Sequence, residues 1–110
     1  MEIFYKTKKL ENTLTDDVKM AKTYGAIARH IRKRIKYLKA SPNLATVKKI
    51  PQLKLHKLGG ERQNEWSINI SKNWVLTFIV ANDPIPLLPD GSYDFKKITI
   101  VKILFVGDYH

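Results

Sequence analysis

Three adjacent side chains, Asp108, Tyr109 and His110, place a carboxylate, a phenol and an imidazole directly after an apolar run. An imidazole titrates near neutral pH, and the neighbouring carboxylate of Asp108 favours its charged form. We therefore expect His110 to act as a general acid, and Asp108 to accept a proton or to orient the imidazole. Tyr109 can stack on a nucleobase or donate its hydroxyl. The alternative is a frayed polar tail without chemistry, which is common at chain ends.

These groups suit RNA cleavage by the RNA's own 2′-hydroxyl, which needs a base, an acid and a cation beside the phosphorane. A second cluster offers the cations: Lys54, His56, Lys57 and Arg62 lie around the glycine pair at 59–60. Side chains two residues apart in a strand share a face, so Lys54 and His56 are predicted to project together. Arg62 can hold a phosphate through two N–H groups. The alternative for His56 is a packed strand histidine.

Four segments occur in a characteristic order: LHKLGGER at 55–62, WSINI at 66–70, NWVLTF at 73–78 and DYH at 108–110. This order resembles the HigB branch of the RelE-like toxins. The resemblance covers the second half of the chain well, and the first half only as a strand followed by helices. It implies a single α+β domain of the RelE-like fold over residues 1–110, with N-terminal helices packed on one face of a mainly antiparallel four- to five-stranded sheet.

The same resemblance implies a function and its partners. RelE-like toxins of this branch are ribosome-dependent mRNA endoribonucleases that block translation, and a co-expressed antitoxin holds them inactive. The expected partners are therefore the 70S ribosome, mRNA and a cognate HigA-like antitoxin with a helix-turn-helix, which forms an oligomer with the toxin. No cofactor and no metal is expected, since the three histidines and the scattered acids lack ligand spacing.

Two positions depart from the family pattern. Family members commonly carry an arginine directly after the tryptophan of the Asn-Trp pair, where this chain has Val75. The family's lysine before the second glycine of its turn is here Gly59. Lys57 and Arg62 are the candidates to compensate. Two alternatives stay open: a non-cleaving toxin directed at DNA gyrase, which would lack a terminal acid-base histidine, and a catalytically impaired relative that only binds RNA.

Composition limits the class of protein. The chain has 110 residues and no cysteine, so a single modest core without disulfides or thiolate metal sites is expected. No apolar stretch is long enough for a membrane span or a signal segment, which favours a cytoplasmic protein. The formal net charge is +10, and residues 1–60 hold 15 basic against 4 acidic side chains. Such a field attracts polyanions, although a merely solubilising surface remains the alternative.

Hydrophobic periodicity predicts the elements that position these groups. A short strand over residues 3–5 precedes one long helix from about 16 to 40 and a short helix over 44–49. Strands are expected at 53–58, 65–71, 74–81 and 98–106, and one face of the 65–71 strand should be wet. Residues 82–97 should be irregular, as a surface insertion or a functional loop. One face of the long helix is basic, and its predicted RNA-binding residues are Arg29, Arg32, Lys33 and Lys36.

Overall fold

The computed structural model describes residues 1–62 and 64–108, which form one five-stranded sheet covered by helices. In chain order the strands are β1 (Glu2–Tyr5), β2 (His56–Lys57), β3 (Trp66–Ser71), β4 (Trp74–Val80) and β5 (Ile100–Asp108). Their spatial order is β1-β5-β4-β3-β2, and only the β1–β5 pair is parallel. The helices are α1 (Lys8–Thr15), α2 (Asp17–Tyr24), α3 (Ala28–Ala40) and α4 (Leu44–Lys48). The predicted α+β class with a mainly antiparallel sheet is confirmed.

One face of the sheet, the helix face, carries the hydrophobic core. Alternate side chains of β3, β4 and β5 point to this face because successive residues of a strand project to opposite sides. They pack against the apolar stripe of α3, and the cluster includes Ile31, Ile35, Leu38, Ile68, Ile70, Leu76, Phe78, Val101 and Ile103. We call the opposite side of the sheet the outer face.

The prediction of one long helix from about 16 to 40 was wrong. Gly25 interrupts it with φ 59° and ψ −131°, a conformation that only glycine adopts easily, and a short 3-10 turn over Gly25–Ile27 follows. A separate helix, α1, precedes it. Asp16 joins the two: its N–H donates to the Asn12 carbonyl at the end of α1, and its carboxylate accepts from the N–H groups of Val18 and Lys19 at the start of α2.

The strand predictions at 3–5, 65–71, 74–81 and 98–106 are confirmed to within two residues. The strand expected at 53–58 is shorter than predicted and comprises only His56 and Lys57. Pro51 begins a 3-10 turn that ends at Lys54, which has a left-handed backbone with φ 48°. This turn includes the first two residues of the predicted strand, Leu53 and Lys54. The predicted short helix over 44–49 is confirmed as α4.

Residues 82–97 are irregular, as predicted, but they pack against the sheet. The Trp66 ring meets Tyr93 at 5.9 Å and Phe95 at 5.3 Å between centroids. The tip of the segment is held by Asp90, whose carboxylate accepts from the hydroxyl and the N–H of Ser92; these bonds lower the pKa of Asp90. The segment therefore covers part of the helix face of the sheet near β2 and β3. Within residues 1–62 and 64–108, no helix is long and apolar enough to cross a membrane.

Candidate functional site

A row of four side chains crosses the outer face of the sheet. His56 on β2 pairs with Ser67 on β3, Ser67 pairs with Thr77 on β4, and Thr77 pairs with Phe105 on β5. Paired residues of neighbouring strands project from the same face. A bulge in β5 sets this register, because Thr77 pairs with Phe105 whereas Phe78 already pairs with Ile103. The row therefore joins an imidazole, two hydroxyls and an aromatic ring.

The imidazole of His56 is exposed and is oriented by one hydrogen bond. Its Nδ1 lies 2.9 Å from the carbonyl oxygen of Lys54. A carbonyl only accepts, so Nδ1 carries the proton, and in the neutral ring Nε2 is left with a lone pair. Lys54, which supplies this carbonyl, has a left-handed backbone with φ 48°. Nε2 of His56 can therefore accept a proton from a group bound on the outer face.

The two hydroxyls of the row are buried and lack hydrogen-bond partners. Ser67 and Thr77 each have no exposed surface, and neither Ser67 Oγ nor Thr77 Oγ1 has a partner. An unsatisfied buried hydroxyl costs roughly 1–3 kcal/mol. The sequence pattern predicted Ser67 on a wet face, and this was wrong, because Ser67 has no exposed surface. Such unpaired groups in a native fold are exceptions that call for an explanation.

Arg62 lies beside this row on the outer face. With Glu61, Asn64, Glu65, Ile79 and Leu104 it lines an open groove of about 560 Å³. Its Nε donates to Glu65 Oε2 at 3.2 Å and its Nη2 donates to Glu65 Oε1 at 3.0 Å. This is the two-pronged geometry that would hold a phosphate. The carboxylate of Glu65 thus competes with a phosphate for the guanidinium, a competitor that sequence reasoning did not identify.

The structure separates Lys54 and Lys57 from the imidazole. Lys54 does not lie in a strand, so the prediction that it projects with His56 from one strand face was wrong; its contact with His56 is through the backbone carbonyl. Lys57 pairs with Trp66 and projects to the helix face, where its Nζ lies 5.9 Å from the Tyr93 ring centroid. Of the predicted phosphate-binding cations, Arg62 is the one on the outer face with His56.

Asp108 is the last described residue, and Tyr109 and His110 lie outside the described residues. Asp108 is exposed and pairs with Trp74, whose side chain packs toward the helix face and meets the Tyr24 ring edge-on at 6.0 Å. Three strand spacings and three residues along the strand separate Asp108 from His56, which is on the order of 15–20 Å between Cα atoms. The described part of the structure does not bring these two predicted catalytic residues together.

The basic residues of α3 lie on the other side of the molecule. Arg29, Lys33 and Lys36 are exposed along the helix, whose apolar stripe packs on the helix face. Arg32 pairs with Asp17 on α2, with 2.9 Å between Nε and Oδ1. Arg34 donates to the Asn69 carbonyl at the end of β3 at 3.0 Å, so its role is structural. The basic stripe and the outer face therefore lie on opposite sides of the sheet.

Ser67, Thr77 and Phe105 are the outer-face residues that sequence reasoning missed. Period-two alternation puts Ser67 on one face, but β4 and β5 are apolar on both sides, so no pattern distinguishes Thr77 or Phe105. Their shared row depends on the strand register and on the bulge. Among residues 1–62 and 64–108, three or more histidines or acids that could hold a metal ion do not come together.

The fold resembles solved toxin structures. A mutant of YafQ from E. coli superposes with a TM-score of 0.55 at 13% identity, over 97% of this chain and 91% of that chain. A YoeB/ParE toxin from Agrobacterium tumefaciens superposes with a TM-score of 0.52 at 16% identity, over the full length of both chains. No protein-family profile and no curated protein matches the chain. These likenesses confirm the predicted RelE-like fold and do not distinguish the HigB branch from others.

Proposed function

We propose that this chain is a toxin of a toxin-antitoxin pair that cuts mRNA on the translating ribosome, without a metal ion, by activating the RNA 2′-hydroxyl. The observation that carries the proposal is the His56 imidazole, exposed on the outer face with Nδ1 fixed and Nε2 open to a ligand. The toxin fold and the net charge of +10 support it further, since a strongly positive protein concentrates RNA.

In the proposed reaction, Nε2 of His56 takes the proton of the 2′-hydroxyl, and the resulting oxygen attacks the adjacent phosphorus. The bond from phosphorus to the 5′-oxygen then breaks, and His110 donates a proton to that oxygen. Arg62 stabilises the charge on the phosphorane if it exchanges Glu65 for phosphate, while Asp108 orients His110 and Tyr109 contacts a base. The products are a 2′,3′-cyclic phosphate and a 5′-hydroxyl end, and each proton removed is returned.

The test is to map 5′ ends of a reporter mRNA in cell-free translation, with the purified protein and its histidine variants. We expect new 5′-hydroxyl ends only when ribosomes translate, and we expect them to vanish for His110→Ala and His56→Ala. His30→Ala is the matched control, because His30 lies on α3 in the helix layer. Loss of cleavage in His30→Ala alone, or normal cleavage in both site variants, would contradict the assignment.

An arginine can be introduced at Val75, the position where family members commonly carry one. Val75 lies on the outer face, where it pairs with Asn69 on β3 and with Gly107 on β5. Thr77 is the next residue of β4 that projects from the same face. An arginine there would supply a second cation beside the phosphate, so Val75→Arg should raise the cleavage rate by roughly tenfold or more. Arg62→Ala should lower cleavage. Lys57→Ala is its control, because Lys57 faces the other side of the sheet.

A catalytically impaired RNA-binding relative is the second candidate, favoured by Val75 and by the Arg62–Glu65 ion pair. Blocked translation with intact message would indicate such a binder. Intact message with normal translation, together with loss of gyrase supercoiling activity, would indicate the gyrase-directed class. In either case the nuclease proposal fails, and the fold assignment is unaffected.

The exposed stripe of Arg29, Lys33 and Lys36 fits a polyanionic partner on the helix side of the molecule. Ribosomal RNA phosphates and acidic antitoxin side chains are both suited to it, since each would offset the repulsion between neighbouring cations. Co-sedimentation with 70S ribosomes distinguishes the two. If the partner is ribosomal RNA, Lys33→Glu should release the protein from ribosomes; if it is the antitoxin, that variant should escape neutralisation while still binding ribosomes.

A further inference from the structure

Phe105 is an aromatic side chain exposed on the outer face, at the β5 end of the row. Its exposed fraction is 43%; it pairs with Thr77 on β4 and lies two residues beyond Ile103, the last residue of β5 that pairs with β1. Most large apolar side chains of the central strands are buried in the core. Exposing an aromatic ring forgoes the stabilisation that burial would bring. The position of this ring therefore needs an explanation other than packing.

The absence of a side chain at Gly107 is what allows the ring to lie against the strand. A Cβ placed at Gly107 would lie 2.3 Å from the tip of the Phe105 ring, at Cζ, and 2.9 and 3.0 Å from Cε2 and Cε1. Any other residue at 107 would displace the ring. The ring is thus held over the backbone of its own strand, with its remaining surface open to solvent. A fixed, open ring loses little conformational entropy when a flat ligand stacks on it.

The surroundings of the ring point to a ligand. Phe105 pairs with Thr77, and Ser67 lies beyond it in the row; both side chains have no exposed surface, so neither hydroxyl contacts a ligand in this conformation. His56 lies at the other end of the same row, three strand spacings or roughly 14 Å from Phe105. Lys102 projects from the same face of β5, opposite Ile79. An exposed aromatic ring on the same face as the Lys102 ammonium and the His56 imidazole suits a nucleobase attached to a phosphate chain better than it suits an apolar protein surface.

We propose that Phe105 is a stacking platform for one base of the mRNA, which positions the chain relative to His56. The inference rests on the proposed RNA-directed function and adds a positioning residue to it. Stacking accepts every base, so Phe105 contributes affinity and placement with little sequence preference. Its loss should weaken RNA binding roughly 5- to 150-fold, the range that corresponds to losing one stacked base.

The experiment uses single-stranded RNA 12-mers, each with 2-aminopurine at one position and 2′-O-methyl sugars throughout, which block the attacking hydroxyl and prevent cleavage. Stacking on an aromatic ring quenches 2-aminopurine fluorescence, and anisotropy of an end label measures binding separately. We expect quenching at one position for the unmodified protein, loss of that quenching for Phe105→Leu, and recovery for Phe105→Trp. Gly107→Ala, which displaces the ring without removing it, should also lose the quenching.

Phe4→Leu is the matched control. Phe4 is 49% exposed and projects from the same face of β1, where it pairs with Lys102, but it lies one strand further from His56. The stacking proposal is overturned if the unmodified protein gives no position-specific quenching, if Phe105→Leu quenches normally, or if Phe4→Leu loses the same signal. Circular dichroism establishes that each variant is folded.

A second readout separates this proposal from the nuclease proposal. On translating ribosomes, Phe105→Leu should raise KM while kcat changes little, because the ring binds a base and touches no reacting atom. Ribosomal cleavage that depends on His110, with a normal KM and normal quenching in Phe105→Leu, sustains the nuclease and refutes the platform. Quenching that depends on Phe105, without any ribosomal cleavage, sustains the platform and refutes the nuclease.

Discussion

The buried hydroxyl of Thr77 gives the sharpest test of the geometry on the outer face. Thr77→Val replaces the hydroxyl by a methyl group of nearly the same size, on a strand where β-branched residues are favoured. Thr77 Oγ1 is buried and has no hydrogen-bond partner, so the native protein bears the cost of its desolvation. Removing that hydroxyl should therefore stabilise the fold by ~1–3 kcal/mol.

The effect is large enough to measure by thermal unfolding. Unfolding entropy of about 2.1 cal/mol/K per residue gives a chain of this length a shift in Tm of roughly 4 °C per kcal/mol. Thr77→Val should accordingly raise Tm by about 4–12 °C. Differential scanning calorimetry at neutral pH measures both Tm and the unfolding enthalpy, so that the free-energy change is obtained from the same scans.

Thr99→Val is the matched control, since it makes the same chemical change at a hydroxyl that has a partner. Thr99 Oγ1 accepts from Asn82 Nδ2 at 3.1 Å and the residue is exposed. That variant should lose up to about 1 kcal/mol or remain neutral. A Tm for Thr77→Val that is unchanged or lower than that of the unmodified protein would refute the reasoning, because it would mean that the hydroxyl is hydrogen-bonded in solution.

Three further predictions concern other residues. The Tyr5 hydroxyl is also buried without a partner, so Tyr5→Phe should raise the free energy of unfolding by about 1 kcal/mol in urea titrations. Burial raises the pKa of Tyr5 and of Tyr24 above the usual value of 10.0. The stability that the two protonated phenols confer is therefore intact below pH 10 and is lost as pH rises through their raised pKa values. Tyr5→Phe should reduce this loss of folding stability at alkaline pH. Glu65→Gln removes the carboxylate that competes for Arg62, so filter binding should show tighter RNA association at low salt, and weaker association would count against Arg62 as a phosphate ligand.

Gly25 shows where local sequence signals were insufficient. The apolar stripe continues on both sides of Gly25, so periodicity alone extended one helix through it. The break depends on how α2 packs against α1 and α3, which lets Gly25 take a backbone conformation that other residues avoid. Similarly, the pattern at 53–58 predicted a strand, but the Pro51 turn and the left-handed Lys54 leave only two residues to pair with β3. Tertiary context decided both.

The sequence by itself determined the fold class, four of the five strands, the basic character of the first half and the candidate chemistry of His56, Arg62 and the Asp108–His110 segment. These follow from local patterns, since hydrophobic periodicity and residue type are properties of neighbouring positions. The tertiary structure decided which candidates share a face: His56 and Arg62 are on the outer face, Lys57 is on the helix face, and Ser67, Thr77 and Phe105 complete the row. Strand register and the β5 bulge bring residues tens of positions apart into one row, and no local pattern records that register.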